Sequence, residues 1–262
     1  MFVKPVGGWA DMTETAELTY QSGDFGNRVA VGGDGKFVLV GAIGAVYGFE
    51  RPSGGWANMA TPSANLLPPS NVTAFGSAIA VSGTTAVIGG GTDDDSSAAY
   101  LFSLQSGVAN INSIATLTAS DHGRFLGNSV AILGDTVVAG APGYDSFRGA
   151  LYVYVAPPTG WTDMTQTAEL SVNVKHLGVG ASVAISDRMI VAGAPSGKVS
   201  VVVAYVKPPS GWVDSRAPRY WGTSSDGSAA FGEAVALGGK TVAVCDFEAN
   251  QSQGSIYIFA KP

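Results

Sequence analysis

Between Leu117 and Pro142 the chain reads LTASDHGRFLGNSVAILGDTVVAGAP. Apolar positions nearly alternate with small or polar ones in Ser-Val-Ala-Ile and again in Thr-Val-Val-Ala-Gly-Ala-Pro. That period of two predicts a pair of half-buried strands rather than a helix. Leu133-Gly134-Asp135 lies between them, and its Gly-Asp pair suits the positive φ of a tight hairpin turn.

The same hairpin recurs along the whole chain. Copies start at Phe25, Phe75, Leu126, Leu177 and Phe231, spaced 50, 51, 51 and 54 residues apart. A third apolar run follows each hairpin: GAVYGFERP, SAAYLFSL, GALYVYVAPP, VSVVVAYVKPP and GSIYIFAKP. A Gly-Trp loop then leads to a fourth, clearest in TETAELT from Thr13 and TQTAELS from Thr165. Four short strands per repeat, without helices, predict the blades of a β-propeller. The last copy stops after its third run, and the missing fourth stands at the other terminus. The expectation is an all-β fold: one domain over residues 1–262, a five-bladed propeller of four-stranded antiparallel blades, its last blade closed by the N-terminal strand. Such closure covers an edge that otherwise invites aggregation.

These residues resemble FG-GAP repeats. Phe25-Gly26, Phe75-Gly76 and Phe231-Gly232 supply the FG, and Gly140-Ala141-Pro142 and Gly193-Ala194-Pro195 supply the GAP. The stretch from Leu117 to Pro142 is similar to the bacterial form of the repeat along nearly its full length. The resemblance extends distantly to integrin α-subunit heads, usually of seven repeats, and to propeller lectins. It implies an extracellular or cell-surface protein serving adhesion or ligand binding. Many FG-GAP repeats carry a calcium loop of Asp-x-Asp-x-Asp-Gly type. The hairpin turns here (GGDGK, SGTTA, LGDTV, SDRMI, GGKTV) hold at most one acid each, so no metal is expected and the calcium role does not carry over.

Composition narrows the chemistry. With 46% hydrophobic residues and 36 glycines the chain is a folded, turn-rich protein, and its hydrophobic runs are too short to span a bilayer. A net charge of −6 argues against nucleic acid as partner. Only His122 and His176 are histidines and Cys245 is the sole cysteine, which leaves no transition-metal spacing. No nucleophile-elbow motif accompanies the serines. No catalytic residue and no cofactor is therefore expected. Asn71-Val72-Thr73 and Asn250-Gln251-Ser252 match the short glycosylation sequon. The Gly-Trp residues Trp9, Trp56, Trp161 and Trp212 are expected to cover the outer ends of the blades as packing.

Function is expected in the inter-blade loops and those between second and third strands, which emerge on one face and vary most. They hold nine acids against four bases, most of the chain's net charge. The candidate ligand-binding residues are Asp93, Asp94, Asp95, Tyr144, Asp145, Arg148, Trp221 and Asp226. Tyr144 and Trp221 offer flat apolar area outside the repeated core, and Asp145 and Arg148 offer hydrogen bonds. The expected function is non-enzymatic binding or adhesion, recognising a glycan or protein ligand, without nucleic acid and without membrane insertion. The alternative is a structural subunit of a larger surface appendage or filament, using its surfaces for self-assembly.

Overall fold

The computed structural model describes residues 1–4, 11–69, 72, 74–91, 97–121, 123–195, 200–224, 229–238 and 241–260. Asp93, Asp94, Asp95, Asp226, His122, Trp9, Asn71 and Thr73 lie outside the described residues. The strands are β1 (Arg28–Gly32), β2 (Phe37–Ala42), β3 (Ala45–Glu50) and β4 (Ala64–Leu67), then β5 (Ile79–Ser82), β6 (Thr85–Gly90), β7 (Ala98–Ser103), β8 (Asn110–Asn112) and β9 (Ala115–Thr118). They continue as β10 (Ser129–Leu133), β11 (Thr136–Ala141), β12 (Ala150–Val155), β13 (Met164–Thr165) and β14 (Ala168–Ser171). Last come β15 (Ser182–Ile185), β16 (Met189–Ala194), β17 (Val201–Val206), β18 (Tyr220–Thr223), β19 (Val235–Gly238), β20 (Thr241–Asp246) and β21 (Ser255–Ala260). The described residues form an all-β fold of five sheets, each built on an antiparallel meander of one sequence repeat.

Within each sheet the register repeats. Ser129 faces Gly140, Ser182 faces Gly193 and Arg28 faces Gly41. Successive first strands pack on one another: β1 on β5, β5 on β10, β10 on β15 and β15 on β19. On the outside, three of the fourth strands receive a short parallel partner from the next repeat: β8 on β4, β13 on β9, and Ser215 beside Leu170 on β14. These loops tie neighbouring sheets together, and the tryptophans described in them pack into the wedges. Trp212 is buried, and Trp56 and Trp161 join the clusters of their own wedges.

Two recurring contacts set how closely the sheets approach. The first is made of backbone. The N–H of Gly26, Gly76, Gly127, Gly180 and Gly232 donates to the carbonyl of Gly41, Gly89, Gly140, Gly193 and Cys245 at 2.9–3.1 Å. Each donor has φ between 89° and 99°, a conformation that glycine adopts without strain. The carbonyls of Gly127, Gly180 and Gly232 then press on the preceding sheet: a Cβ on Gly89, Gly140 or Gly193 would lie 1.8–2.1 Å from them. Only glycine permits this approach. In the fourth repeat the donor is Gly180, not the Gly178 suggested by the Leu177-Gly178 pair. The extra two residues carry Val179, fully buried, into the wedge beside Leu177.

The second contact is aromatic. Phe75 packs on Tyr100 and Phe102 at 6.0 and 5.8 Å between ring centroids, and Phe231 on Tyr257 and Phe259 at 5.3 and 6.3 Å. Phe25 does the same with Tyr47 and Phe49. The third and fourth repeats substitute Leu126 and Leu177, and a tyrosine in their third strands uses the released space. Tyr154 Oη donates to Thr118 O at 3.0 Å, and Tyr205 Oη donates to Ser171 O, satisfying their hydroxyls in the core.

The end of the arrangement departs from the sequence-based expectation. β21 has no fourth strand beside it among the described residues, and β19 does not pack on β1 as the other first strands pack on their neighbours. The N-terminal segment sits on the first sheet instead. Leu18 bridges Met59 in parallel, Thr19 N–H donates to Met59 O at 2.9 Å, and Met59 N–H donates to Glu17 O at 3.0 Å. Ser171, Ser215 and Glu169 make the same pair of bonds between the third and fourth repeats, both at 2.9 Å. Ala16–Thr19 thus holds the place of a fourth strand preceding the first sheet, while its other edge is taken by Met1–Val3. The physical reason is local: residues close along the chain meet that edge with little loss of entropy. Val29 and Val31 on β1, and Ile256 and Ile258 on β21, remain 59–66% exposed as a result.

Candidate functional site

The third repeat brings three of the sequence-derived residues together. After β11 the chain makes a left-handed turn, with φ of 41°, 57° and 61° at Asp145, Ser146 and Phe147, before entering β12. Left-handed geometry is strained for residues with a side chain, so the turn is held from outside. Arg148 Nη1 and Asp145 Oδ2 form an ion pair at 2.8 Å, and Gly178 and Val179 N–H groups of the next repeat donate to Phe147 O and Arg148 O. Phe147 is left 47% exposed at its tip. The Arg124 guanidinium lies 5.3 Å from the Phe147 ring and 5.4 Å from Phe125, a cation–π bridge between an inter-sheet loop and this turn. At the corresponding step of the first and fifth repeats, Ile43 and Phe247 are likewise exposed.

Tyr144 differs from its expected role. Its ring packs edge-on against Tyr152 at 6.0 Å and joins the buried cluster between the second and third sheets. It is part of the wedge, so replacing it would cost stability as well as any ligand. Its phenol is pushed up to about 12, chiefly by burial and then by the carboxylate of Asp121. Tyr152 Oη donates to Asp121 Oδ1 at 2.7 Å and its pKa is raised for the same reasons. On the same face Glu169 stands opposite Tyr152 in the register. Burial raises the Glu169 carboxyl above its ordinary 4.5; neighbouring Ser171 opposes this, and the charge of Asp121 adds to it. The Ser171 contact falls short of good geometry: Ser171 Oγ and Glu169 Oε1 are both buried without a well-aligned hydrogen bond. Asp121, Glu169, Ser171 and two phenols thus make a half-buried hydrogen-bonding set at the loop end of the wedge. It suits hydroxyl groups or ordered water.

This set carries a pH signature. The folded state raises the Glu169 pKa, so its contribution to stability is present below the ordinary value and fades as pH rises through the raised one. Glu169→Gln is therefore expected to melt about 1–3 °C above the parent at pH 7, with the two converging near pH 4. Melting curves at both pH values check this. A lower melting temperature for the variant at pH 7 would mean that the charge is paired.

Trp221 lies elsewhere. It sits within β18 opposite Val203, not in a loop, and is 48% exposed. With Tyr220, Val191, Val202, Val242 and Phe259 it lines an apolar cavity of about 200 Å³ between the fourth and fifth sheets. Tyr144, Asp145 and Arg148 therefore share one loop and Trp221 does not. Sequence reasoning missed Glu169, Tyr152 and Arg124; the signal was available for Tyr152, which recurs as Tyr47, Tyr100 and Tyr257.

The second-to-third wedge also has a counterpart among protein families. Residues 112–154, from β8 through β12, match the model of the FG-GAP repeat. That stretch is similar to an FG-GAP repeat. The matched segment crosses from one sheet to the next and supplies Leu117, Leu126, Val137, Ala139, Tyr152 and Tyr154, all fully buried, to their shared wedge. The FG-GAP unit is thus the contact between two sheets as much as the third sheet itself. No curated protein sequence matches the chain. Among solved structures, hydrazine synthase from Kuenenia stuttgartiensis is similar in fold, with a TM-score of 0.53 at 14% identity, over 97% of this chain and 67% of that one. At this identity the likeness concerns fold and not chemistry.

Proposed function

We propose that the chain is a non-enzymatic binding module: a five-bladed ring whose variable-loop face recognises a glycan or protein ligand outside the cell. The observation that carries this reading is the turn at Tyr144–Arg148. An exposed phenylalanine, a stacked guanidinium and an oriented Asp145–Arg148 pair stand together on a rigid scaffold. Aromatic area of low ordering entropy beside fixed polar groups is how such surfaces bind. Ile43 and Phe247 extend the apolar points around the same face. Asp93, Asp94, Asp95 and Asp226 belong to loops of that face by sequence and would add acidic contacts.

In this reading the ring closes when Ala16–Thr19 completes the fifth blade. The repeat dictates the register: Ala150 faces Ser171 and Val153 faces Ala168, so Ser255 would face Thr19 and Ile258 would face Ala16. Closure would cover Ile256 and Ile258 with the first sheet. Cys245 stands where other repeats have the pressed glycine, so this seam would be looser. The Gly41–Gly76 seam, where a Cβ would keep 3.3 Å from the carbonyl, shows that such a spacing is available.

Binding to an array of glycans and surface proteins, followed by titration of Phe147→Ala and Arg124→Ala, tests the function. Each is expected to weaken binding by about 1–3 kcal/mol, with Trp221→Ala as an unaffected control. No ligand on the array, or a loss at Trp221 alone, would overturn the placement. The exposed Val29, Val31, Ile256 and Ile258 favour a second reading, a structural subunit that assembles through its end sheets. Oligomers that grow with concentration would support it.

A further inference from the structure

Met1–Val3 meets the N-terminal strand in a way that recurs elsewhere in the fold. Thr15 N–H donates to Met1 O at 2.8 Å, and Val3 N–H donates to Thr15 Oγ1 at 3.2 Å. In the third sheet Thr167 N–H donates to Val153 O at 2.7 Å, and Val155 N–H donates to Thr167 Oγ1 at 3.0 Å. In the first sheet Ser63 and Glu50 repeat the pattern, with Ser63 N–H on Gly48 O at 2.8 Å and Glu50 N–H on Ser63 Oγ at 3.1 Å. Met1 and Val3 therefore occupy the positions that the end of a third strand holds in a complete sheet. The residues at those positions in the last repeat are Ile258 and Ala260, and the sequences match: Met-Phe-Val-Lys-Pro against Ile-Phe-Ala-Lys-Pro.

We propose that the edge at Thr15–Thr19 is a strand-binding site for an extended apolar–Phe–small segment, occupied by Met1–Val3 in the open form and by Ile258–Ala260 of the same chain in the closed ring. The proposal rests on the ring reading above and adds that closure is an exchange. Both segments need the same N–H of Thr15 and the same hydroxyl, so they cannot bind together. Met1–Val3 fills only the first step of the edge. β21 offers Tyr257, Ile256 and Ser255 as well, facing Glu17, Leu18 and Thr19, and brings its exposed isoleucines under cover. Recognition is by main-chain hydrogen bonds, as in strand addition generally, with Met1 packed against the first sheet's cluster while Phe2 and Val3 stay exposed.

The test uses the full chain with Cys245→Ser and the pair Thr19→Cys and Ser255→Cys, oxidised at low concentration. The rate of intramolecular crosslinking is read on non-reducing gels and by mass. Deleting residues 1–4 is expected to raise it about tenfold, because it removes the segment that competes for Thr15 N–H and Thr15 Oγ1. The free peptide Met-Phe-Val-Lys-Pro, added in excess, should slow the deleted form again. Val3→Pro, which removes the N–H bound by Thr15 Oγ1, should speed crosslinking without a deletion. Equal rates in all forms would overturn the exchange while leaving ring closure standing. No crosslink in any form would overturn closure and the exchange with it. Crosslinked dimers in place of monomers would give the edge to a second copy and overturn exchange within one chain.

Discussion

Gly193→Ala is expected to be among the most damaging substitutions in the protein. An ideal Cβ there would lie 1.8 Å from Gly232 O and 2.7 Å from Gly232 C, far inside any real contact. The opposing atoms are backbone, fixed by the Gly232 N–H bond to Cys245 O at 2.9 Å, so no side-chain rotation relieves the clash. The fourth and fifth sheets must move apart, and the wedge packing of Val191, Val202 and Phe231 loosens with them. A loss of about 3 kcal/mol or more follows from such overpacking, roughly 10 °C in melting temperature for a chain of this size. Gly140→Ala, with a Cβ 2.1 Å from Gly180 O, should behave alike. Gly41→Ala should cost much less, because its nearest backbone atom, Gly76 O, lies at 3.3 Å and its closest contact is the side chain of Asn27. Thermal melts of the three variants check the order. Equal losses at Gly41 and Gly193 would show that the carbonyl approach does not set the seam.

Phe231→Ala should rank beside it. The ring is fully buried against Tyr257 and Phe259, with Val244, Val202 and Val191 in the same cluster. Removing it leaves a cavity in the seam between the fourth and fifth sheets, at a cost of about 3–5 kcal/mol. Phe231→Leu should cost less, since Leu126 and Leu177 fill corresponding positions. It should not be neutral, because those repeats fill the released volume with Tyr154 and Tyr205. Phe231→Leu combined with Phe259→Tyr therefore tests whether the two positions share one volume. Denaturant titrations giving a double variant no more stable than the Leu single variant would dismiss the compensation.

Much of the fold could be read along the chain because each strand is a local signal. Alternation in Val130–Ile132 and Val137–Ala141, with a Gly-Asp turn between, marks a hairpin wherever it occurs. Five recurrences of it mark five sheets. The FG and GAP glycines were visible as letters, although their job, a carbonyl pressed against a glycine of the next sheet, is a property of two repeats together. Leu177-Gly178-Val179-Gly180 shows the boundary of such reading. Both glycines follow an apolar residue, and only the bond from Gly180 N–H to Gly193 O selects the second.

The candidate site divides in the same way. Tyr144, Asp145 and Arg148 fall together because they are neighbours in one loop, although Tyr144 packs into the wedge and the Arg148 side chain is largely covered. The sequence could not say that Tyr144 packs on Tyr152, or that Trp221 is held inside β18 by pairing with β17, since both depend on partners in other segments. Asp121, Tyr152 and Glu169 come from separate strands and loops and meet only through the register that sets Tyr152 opposite Glu169. The repeated ends, MFVKP and IFAKP, were equally plain as text, yet their competition for Thr15 follows from hydrogen-bond geometry. The strands and their spacing were thus determined by the sequence itself, because each hairpin is a local signal; that β2, β11 and β16 are buried on both faces was decided by the neighbouring sheets. How closely the sheets approach, which side chains share a wedge and which segment holds the open edge were decided by the tertiary structure, because each depends on atoms from different repeats competing for one volume or one hydrogen bond.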